Sequence, residues 1–168
     1  MKHIFTLPLF IIIIELTGCG HTKALNQENS KKFSTLDTAT FVIFNKGPKQ
    51  PSLSLEELSK VENILQQCIS DHNLEREKYV AEENKKHPRH KLKGDLYIID
   101  PSYHKRQYVP SINDKGEKEV WVNCFCGHWD SKWKENIVRV EDGGSCFFNV
   151  TVNLTTGKYY GLKINGVA

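Results

Sequence analysis

The rhythm of hydrophobic and polar positions changes twice along this chain. Residues 4–14 form an almost wholly apolar run, and residues 54–83 then repeat apolar positions at spacings of three and four. That spacing is the period of a helix that buries one face. From residue 95 onward, short runs of alternating apolar and polar residues are typical of half-buried strands. The pattern predicts an α+β fold, with one long amphipathic helix packed on a curved antiparallel sheet.

The helix is predicted to start just after Ser54, because Ser54 and Glu57 have the spacing of a capping box. The stripe reaches Asn73, and an extension as far as Glu83 is compatible with the pattern. The stripe consists of six apolar residues followed by a histidine at its end: Leu58, Val61, Ile64, Leu65, Cys68, Ile69 and His72.

Seven strands are predicted from alternation and from the turn residues between them. They cover residues 40–44, 96–99, 106–112, 118–126, 137–140, 146–154 and 158–164. The fourth should be central and covered on both sides, since Trp121 and Phe125 face one way and Val120 and Val122 the other. The last is expected to carry Tyr160, Leu162 and Ile164 on one face.

The N-terminal apolar run is too short to span a membrane, because 11 helical residues rise about 16 Å against a hydrocarbon core of about 30 Å. It is followed by Leu16-Thr17-Gly18-Cys19. This order resembles the lipobox of bacterial lipoproteins. The resemblance implies that Cys19 receives a diacylglyceryl group, that residues 1–18 are removed as a signal peptide, and that the new amine is acylated.

The first partner of the protein would therefore be a membrane, to which the lipid on Cys19 attaches it. Gly20 stands where lipoproteins kept in the inner membrane often carry Asp, so the resemblance favours the outer membrane of the bacterial cell envelope, facing the periplasm. The polar residues 19–38 are expected to form a flexible tether. Residues 39–168 then form a single α+β domain.

Charge and composition exclude little beyond nucleic acid as a partner. The formal net charge is +3, and no arginine-rich stripe is present. One basic segment stands out at residues 85–91, Lys-Lys-His-Pro-Arg-His-Lys. Pro88 breaks the helix that would bring His87 and His90 to one face. The segment is expected to be a solvated loop, with contact to anionic lipid head groups as its functional alternative.

With Cys19 assigned to lipid, four cysteines remain: Cys68, Cys124, Cys126 and Cys146. In an oxidising envelope they can form disulfides, with Cys126–Cys146 or a Cys68–sheet bridge as the natural pairs, or they can stay as buried thiols. Cys124, Cys126 and His128 alternate on a strand. Extended Cys-x-Cys sulfurs lie about 7 Å apart, which suits separate partners better than one metal ion. We therefore predict no metal site.

A single helix on a curved sheet resembles the cystatin-like group of folds, which includes the NTF2-like fold. The segments 143–150 and 153–160 are also similar to those of uncharacterised small envelope lipoproteins, a likeness that implies no activity. Cystatin inhibitors of cysteine proteases carry a Gln-x-Val-x-Gly hairpin tip. The turn at residues 113–116 lacks that tip, so protease inhibition is not implied.

No motif for a catalytic nucleophile, a phosphate loop or a dinucleotide site is present, and no cofactor is expected. The one route to catalysis is a pocket lined by Asp95, Asp100, His104 and His128. We predict a non-enzymatic binding or structural module with an unknown protein or small-molecule ligand. The alternatives are a periplasmic inhibitor or immunity protein against a toxin or lytic enzyme, and an NTF2-like pocket enzyme or small-molecule binder.

Overall fold

The computed structural model describes residues 39–45, 51–92, 98–129 and 131–167, all within one compact unit. The predicted signal peptide, the lipid-bearing Cys19 and the tether lie outside the described residues. Asp95 of the expected pocket also lies outside them.

One helix packs on a five-stranded sheet in the described part of the chain, which confirms the α+β class. The sheet has the order β1-β2-β3-β4-β5, so each strand is hydrogen-bonded to the next in sequence. The elements are β1 (Phe41–Ile43), α1 (Leu55–Lys86), β2 (Lys105–Ile112), β3 (Lys118–Phe125), β4 (Phe147–Asn153) and β5 (Lys158–Ile164). Short 3-10 turns lie at Pro101–Tyr103, Ser131–Lys134 and Gly144–Cys146.

The sheet is mixed, so the antiparallel expectation is wrong for β1. Phe41 pairs with Arg106 and Ile43 with Tyr108 in parallel register, while β2 to β5 form an antiparallel meander. The reason is the connection between β1 and β2. A tight turn reverses a strand, whereas a long crossover through a helix such as α1 returns the chain in the same direction.

The face of the sheet that α1 covers, called here the helix face, carries the apolar core. Tyr108, Val120, Val122 and Val150 on this face are all 0% exposed. Helix α1 supplies Leu58, Val61, Leu65, Cys68 and Ile69 from its predicted stripe. Burial of these side chains is the main driving force for folding on this side of the sheet.

Helix α1 begins with the predicted capping box, in which the Ser54 hydroxyl accepts from the Glu57 N–H and the Glu57 carboxylate accepts from the Ser54 N–H. It ends at Lys86, three residues beyond the furthest expected end. Its last buried residue is Ile69. The C-terminal half therefore continues past the packed core.

That C-terminal half is held by two asparagines that bind the returning chain. The Asn73 amide donates to the Ile99 carbonyl and accepts from the Ile99 N–H, both at 2.9 Å. Asn84 does the same with Leu92, accepting from its N–H at 2.7 Å. The strand expected at 96–99 is absent at its two described residues, 98 and 99, because a side chain satisfies the backbone groups of Ile99.

Two further expectations about strands are wrong. Residues 137–140 form no strand, because Val138 bonds to side chains of β2 and β3 and not to a neighbouring strand. In β5, a bulge at Gly161, with a φ of +65°, separates the register of Tyr160 from that of Ile164. Tyr160 pairs with Thr151, and Ile164 with Phe148, so the two residues lie on opposite faces.

The sheet has two ends that orient the rest of the molecule. The turn end carries the β2–β3 hairpin turn at Asn113–Gly116 and the β4–β5 turn. The disulfide end carries the start of β2, the end of β3 and a bridge between Cys126 and Cys146. Lys60 and Lys118 fix the start of α1 at the turn end, through bonds to Leu154 and Glu57. The helix runs from there towards the disulfide end.

Candidate functional site

The face of the sheet opposite α1, called here the second face, is built from amide and aromatic side chains. Strand alternation places Gln107 of β2, Trp121 and Asn123 of β3, and Asn149 of β4 on it. Gln107 is fully buried and Asn123 is 8% exposed. Buried amides need partners, because an unsatisfied polar group costs about 1–3 kcal/mol.

Their partners come from residues 131–140, which cross the second face and are called here the crossing segment. Gln107 Nε2 donates to the carbonyls of Trp133 at 2.6 Å and Asn136 at 2.8 Å. Gln107 Oε1 accepts from the Val138 N–H at 3.0 Å. Asn123 Nδ2 donates to Gln107 Oε1 at 3.0 Å and to the Val138 carbonyl at 2.9 Å. Two side chains thus fix four backbone groups of the crossing segment.

The two ends of the crossing segment are fixed separately. Beyond its far end, Asn165, which follows β5, donates to the carbonyls of Val140 at 2.5 Å and Asp142 at 3.1 Å. At the disulfide end, the Phe125 ring meets the Trp129 and Trp133 rings edge-on, with centroids 5.4 and 5.6 Å apart. The crossing segment is therefore held from β2, β3 and the residues after β5.

Between the crossing segment and the sheet lies a groove of about 420 Å³. Its apolar lining includes Val109, Trp121 and Phe147. The Trp121 Nε1 donates to Asn149 Oδ1 at 3.3 Å, which orients the indole within the lining. An apolar lining with a few placed polar groups is the usual character of a small-molecule site.

The groove is electropositive as judged by its described lining. Arg139 of the crossing segment and Lys163 of β5 both line it, and both are exposed. No carboxylate is among the described lining residues. Glu119 lies two residues along β3 from Trp121, but its oxygens already accept from Asn113, Asn153 and Tyr160. The arrangement suits a ligand that carries a negative charge on an apolar body.

The cluster around Glu119 is structural. Asn113 and Asn153 each donate to both Glu117 and Glu119. The hydrogen bond from Asn113, followed by that from Asn153, lowers the pKa of Glu117. The bond to Glu119 raises the pKa of the Tyr160 phenol. These bonds tie the β2–β3 hairpin to β4 and β5.

Titratable groups also meet between α1 and the helix face. Glu62 accepts from the Tyr108 hydroxyl and pairs with Arg106 Nε at 3.4 Å. Burial, followed by the charge of Glu62, raises the pKa of Tyr108 well above its ordinary value. Arg106 also donates to the carbonyls of His104 and Pro101. These contacts tie α1 to the start of β2.

The four cysteines of the domain divide into a bridge and two thiols. Cys126 and Cys146 are joined across the disulfide end, with their Cα atoms 5.3 Å apart. Cys68 and Cys124 are buried free thiols. Burial raises the pKa of Cys68 to about 11 and raises that of Cys124 further. Thiols in this state are poor nucleophiles, so neither is suited to covalent catalysis.

Of the residues expected to line a catalytic pocket, Asp100 and His104 lie together, and none of the described ones lines the groove. The described lining of the groove contains none of Asp100, His104 and His128. The Asp100 carboxylate caps the turn at Pro101–Tyr103 by accepting from Ser102, which lowers its pKa. His104 is buried, with its ring nitrogens 2.8 and 3.0 Å from the carbonyls of Asp100 and Ser145. His128 is exposed at the disulfide end.

His128 does not join Cys124 and Cys126 around an ion, because Cys126 is bridged and Cys124 is buried beneath α1. Across the described residues, no three Cys, His, Asp or Glu side chains are grouped so as to hold a metal ion.

Sequence reasoning missed the residues that build the groove. Alternation placed Asn123 on the same face of its strand as Trp121 and Phe125 but gave it no role. The available signal was the pair of amides within β2 and β3, where β-branched and aromatic residues are favoured. A buried amide in such a position requires a hydrogen-bond partner, but the sequence does not say which segment supplies it.

Comparisons of the chain with protein-family models, with curated proteins and with solved structures found no match. None of the helices in the described ranges has the length and apolar character that crossing a bilayer requires.

Proposed function

We propose that this chain is a lipid-anchored protein of the bacterial envelope, held through Cys19 and facing the periplasm from the outer membrane. In this proposal the domain is a non-enzymatic binding module, and the second-face groove is its ligand site. The lipobox at residues 16–19 supports the attachment. The structural roles of Asp100 and His104 support binding without turnover.

The observation that carries the binding role is the groove itself. The wall of the groove that faces the sheet is the crossing segment, whose backbone is fixed by Gln107 and Asn123. Its lining contains Trp121 together with the cations Arg139 and Lys163. A wall that is already fixed loses little entropy on binding, which favours affinity. We infer a small ligand with a carboxylate or a similar anion attached to a flat apolar group.

We also propose that the domain has a cystatin-like or NTF2-like arrangement. The support is one helix laid across a sheet whose strands follow in sequence order. The parallel β1 is a departure from an antiparallel sheet. Because core side chains fill the centre of the helix face, we place the ligand on the second face and not beneath the helix.

Mass spectrometry of the intact mature protein tests the attachment. We expect the chain to begin at Cys19 with added acyl mass, and to gain the mass of two hydrogens on reduction of Cys126–Cys146. A mature chain that carries no acyl mass would overturn the anchor.

Nuclear magnetic resonance of the mature protein in detergent tests the groove. Indole-3-acetate is a suitable anionic probe, and its methyl ester is the matched neutral probe. We expect the acid to shift the Trp121 indole N–H and the Asn149 side-chain amide, and the ester to shift them much less. The double variant Arg139→Gln/Lys163→Gln should remove the difference, whereas Lys115→Gln at the turn end should keep it. Equal shifts from both probes would contradict the inferred anion site.

A further inference from the structure

A second charged surface, unconnected with the groove, lies at the end of α1. Residues 85–91, called here the basic tip, contain four permanent cations and two histidines and no acidic residue. Each of them is exposed. Lys86 pairs with Glu83 at 2.8 Å and His87 lies 3.9 Å from the same carboxylate, so Glu83 offsets part of this charge. The remaining permanent cations are Lys85, Arg89 and Lys91.

The basic tip projects beyond the packed core at the disulfide end. Asn73, which binds Ile99 just before β2, marks the level at which the helix leaves the sheet. Lys86 lies 13 residues further along α1, which corresponds to a rise of about 20 Å. Leu92, held by Asn84, begins the return along the helix. The tip is therefore the outermost part of the described chain along this helix.

The chain enters the domain at the same end. The Thr40 carbonyl accepts from the Arg106 N–H at 2.9 Å, beside the start of β2. The turn end, with Asn113–Gly116, is one strand length away, about 25 Å for the eight residues of β3. The chain from Thr40 back to a lipid on Cys19 can span at most about 75 Å. The chain that leads to the anchor thus joins the domain at the end from which the basic tip projects.

We propose that the basic tip docks on the anionic phospholipid head groups of the same membrane that holds Cys19. This inference rests on the proposed lipid attachment and gives the domain a defined orientation, with its disulfide end towards the bilayer. Each Lys or Arg close to an anionic surface strengthens the association about fivefold. The charges act within a Debye length of about 8 Å at physiological salt, so the tip must touch the surface to contribute.

A fluorescent probe at the tip tests the contact in the full mature protein. His90→Cys gives one reactive thiol, because Cys68 and Cys124 are buried, Cys126 and Cys146 are bridged, and Cys19 would be acylated. The thiol is labelled with a nitrobenzoxadiazole dye, which brightens when it leaves water. Lys115→Cys, exposed at the turn end, carries the same dye as the control. Both proteins are placed on neutral phosphatidylcholine vesicles or on vesicles with added phosphatidylglycerol.

We expect the dye at position 90 to brighten on the anionic vesicles alone, and the dye at position 115 to remain unchanged on both. Combining His90→Cys with Lys85→Gln/Arg89→Gln/Lys91→Gln should reduce the ratio of docked to undocked tip about fivefold for each charge removed. An equal response of the two dyes, or of the two vesicle types, would overturn the docking.

Flotation of the same samples separates the two proposals. Protein that floats with both vesicle types while the dye at position 90 stays dim overturns the docking alone. Protein that floats with neither type overturns the lipid attachment and the docking with it.

Discussion

The two faces of this sheet are built on different principles, although they share every strand. The helix face is closed by apolar side chains such as Val122 and Leu65, each 0% exposed. The second face is closed by Gln107 and Asn123, which bind the backbone of the crossing segment. Val122 and Asn123 are adjacent in β3, so neighbouring residues of one strand take part in apolar packing on one face and in hydrogen bonding on the other.

The difference explains how the groove of the second face is formed. Apolar burial has no direction, so the helix settles onto the sheet until the gaps close. Hydrogen bonds have fixed lengths and angles, so Gln107 and Asn123 hold the crossing segment at a set distance from the strands. A segment held in this way leaves room beside Trp121 for a ligand.

The largest expected effect is on the helix face. Leu65→Ala removes a side chain that is 0% exposed and leaves a cavity, so we expect a loss of about 3 kcal/mol in the free energy of unfolding. Urea unfolding monitored by circular dichroism measures it. Leu74→Ala, on the same helix but 53% exposed, is the control and should change the free energy by less than about 0.5 kcal/mol. Equal losses would show that the C-terminal half of α1 packs as tightly as the first.

A smaller and more local effect is expected on the second face. Gln107→Leu keeps the bulk of the side chain but leaves the groups of Trp133, Asn136 and Val138 without their partner, which should cost about 2 kcal/mol. Hydrogen exchange should show the Val138 N–H losing protection while the N–H groups of β4 keep theirs. The control is Ser111→Ala, exposed on the same strand. Unchanged exchange at Val138 would mean that Gln107 does not hold the crossing segment.

Next in size is the bulge that shifts the faces of β5. Gly161 has a φ of +65°, a conformation that costs a residue with a Cβ about 1–2 kcal/mol, and an added Cβ would meet no atom within 4 Å. We therefore expect Gly161→Ala to destabilise through the backbone alone, by about 1 kcal/mol. Gly166→Ala also meets no atom and has no positive φ, so it should be nearly neutral. Similar melting temperatures for the two variants would contradict the assigned bulge.

Local patterns predicted the elements that local interactions determine. Ser54 and Glu57 marked the start of α1, and alternation located β4 and β5. A helix cap or an alternating strand depends on residues that are close together in the sequence, so its pattern can be recognised there. The residues 137–140 show the limit. Ile137, Val138 and Val140 have the composition of a strand, yet Gln107, some 30 residues earlier, supplies the bond to the Val138 N–H. Only the fold brings these residues together, so the groove could not be predicted from the sequence.

The bulge at Gly161 could not be predicted from the sequence for a related reason. Glycine in a strand indicates a bulge or a close approach of backbone, and the sequence does not say which. The pleat directs Tyr159 and Tyr160 to opposite faces, opposite Val152 and Thr151, and the bulge that follows them reverses the alternation before Ile164. Tyr159 donates to Asp71 of α1 at 2.8 Å, and Tyr160 donates to Glu119 on the second face, also at 2.8 Å.

The smallest expected effect compares these two phenols. The hydrogen bond to Asp71 raises the pKa of Tyr159 to about 12, and the bond to Glu119 raises that of Tyr160. A phenol whose folded pKa exceeds its unfolded value of about 10 stabilises the fold fully below pH 10. That contribution is lost as the pH rises from 10 towards 12. Because Tyr159 is partly exposed, it should amount to less than about 1 kcal/mol.

Ultraviolet titration of the folded protein at 295 nm measures both phenols, and Tyr159→Phe and Tyr160→Phe assign them. We expect each variant to lose one late-ionising phenol and to flatten the fall of stability above pH 10. Asp71→Asn, which keeps an oxygen acceptor but removes the charge, should return Tyr159 towards pH 10 and leave Tyr160 late. If Asp71→Asn shifted both phenols together, the two tyrosines would share one environment, and the opposition of the two faces at β5 would be wrong.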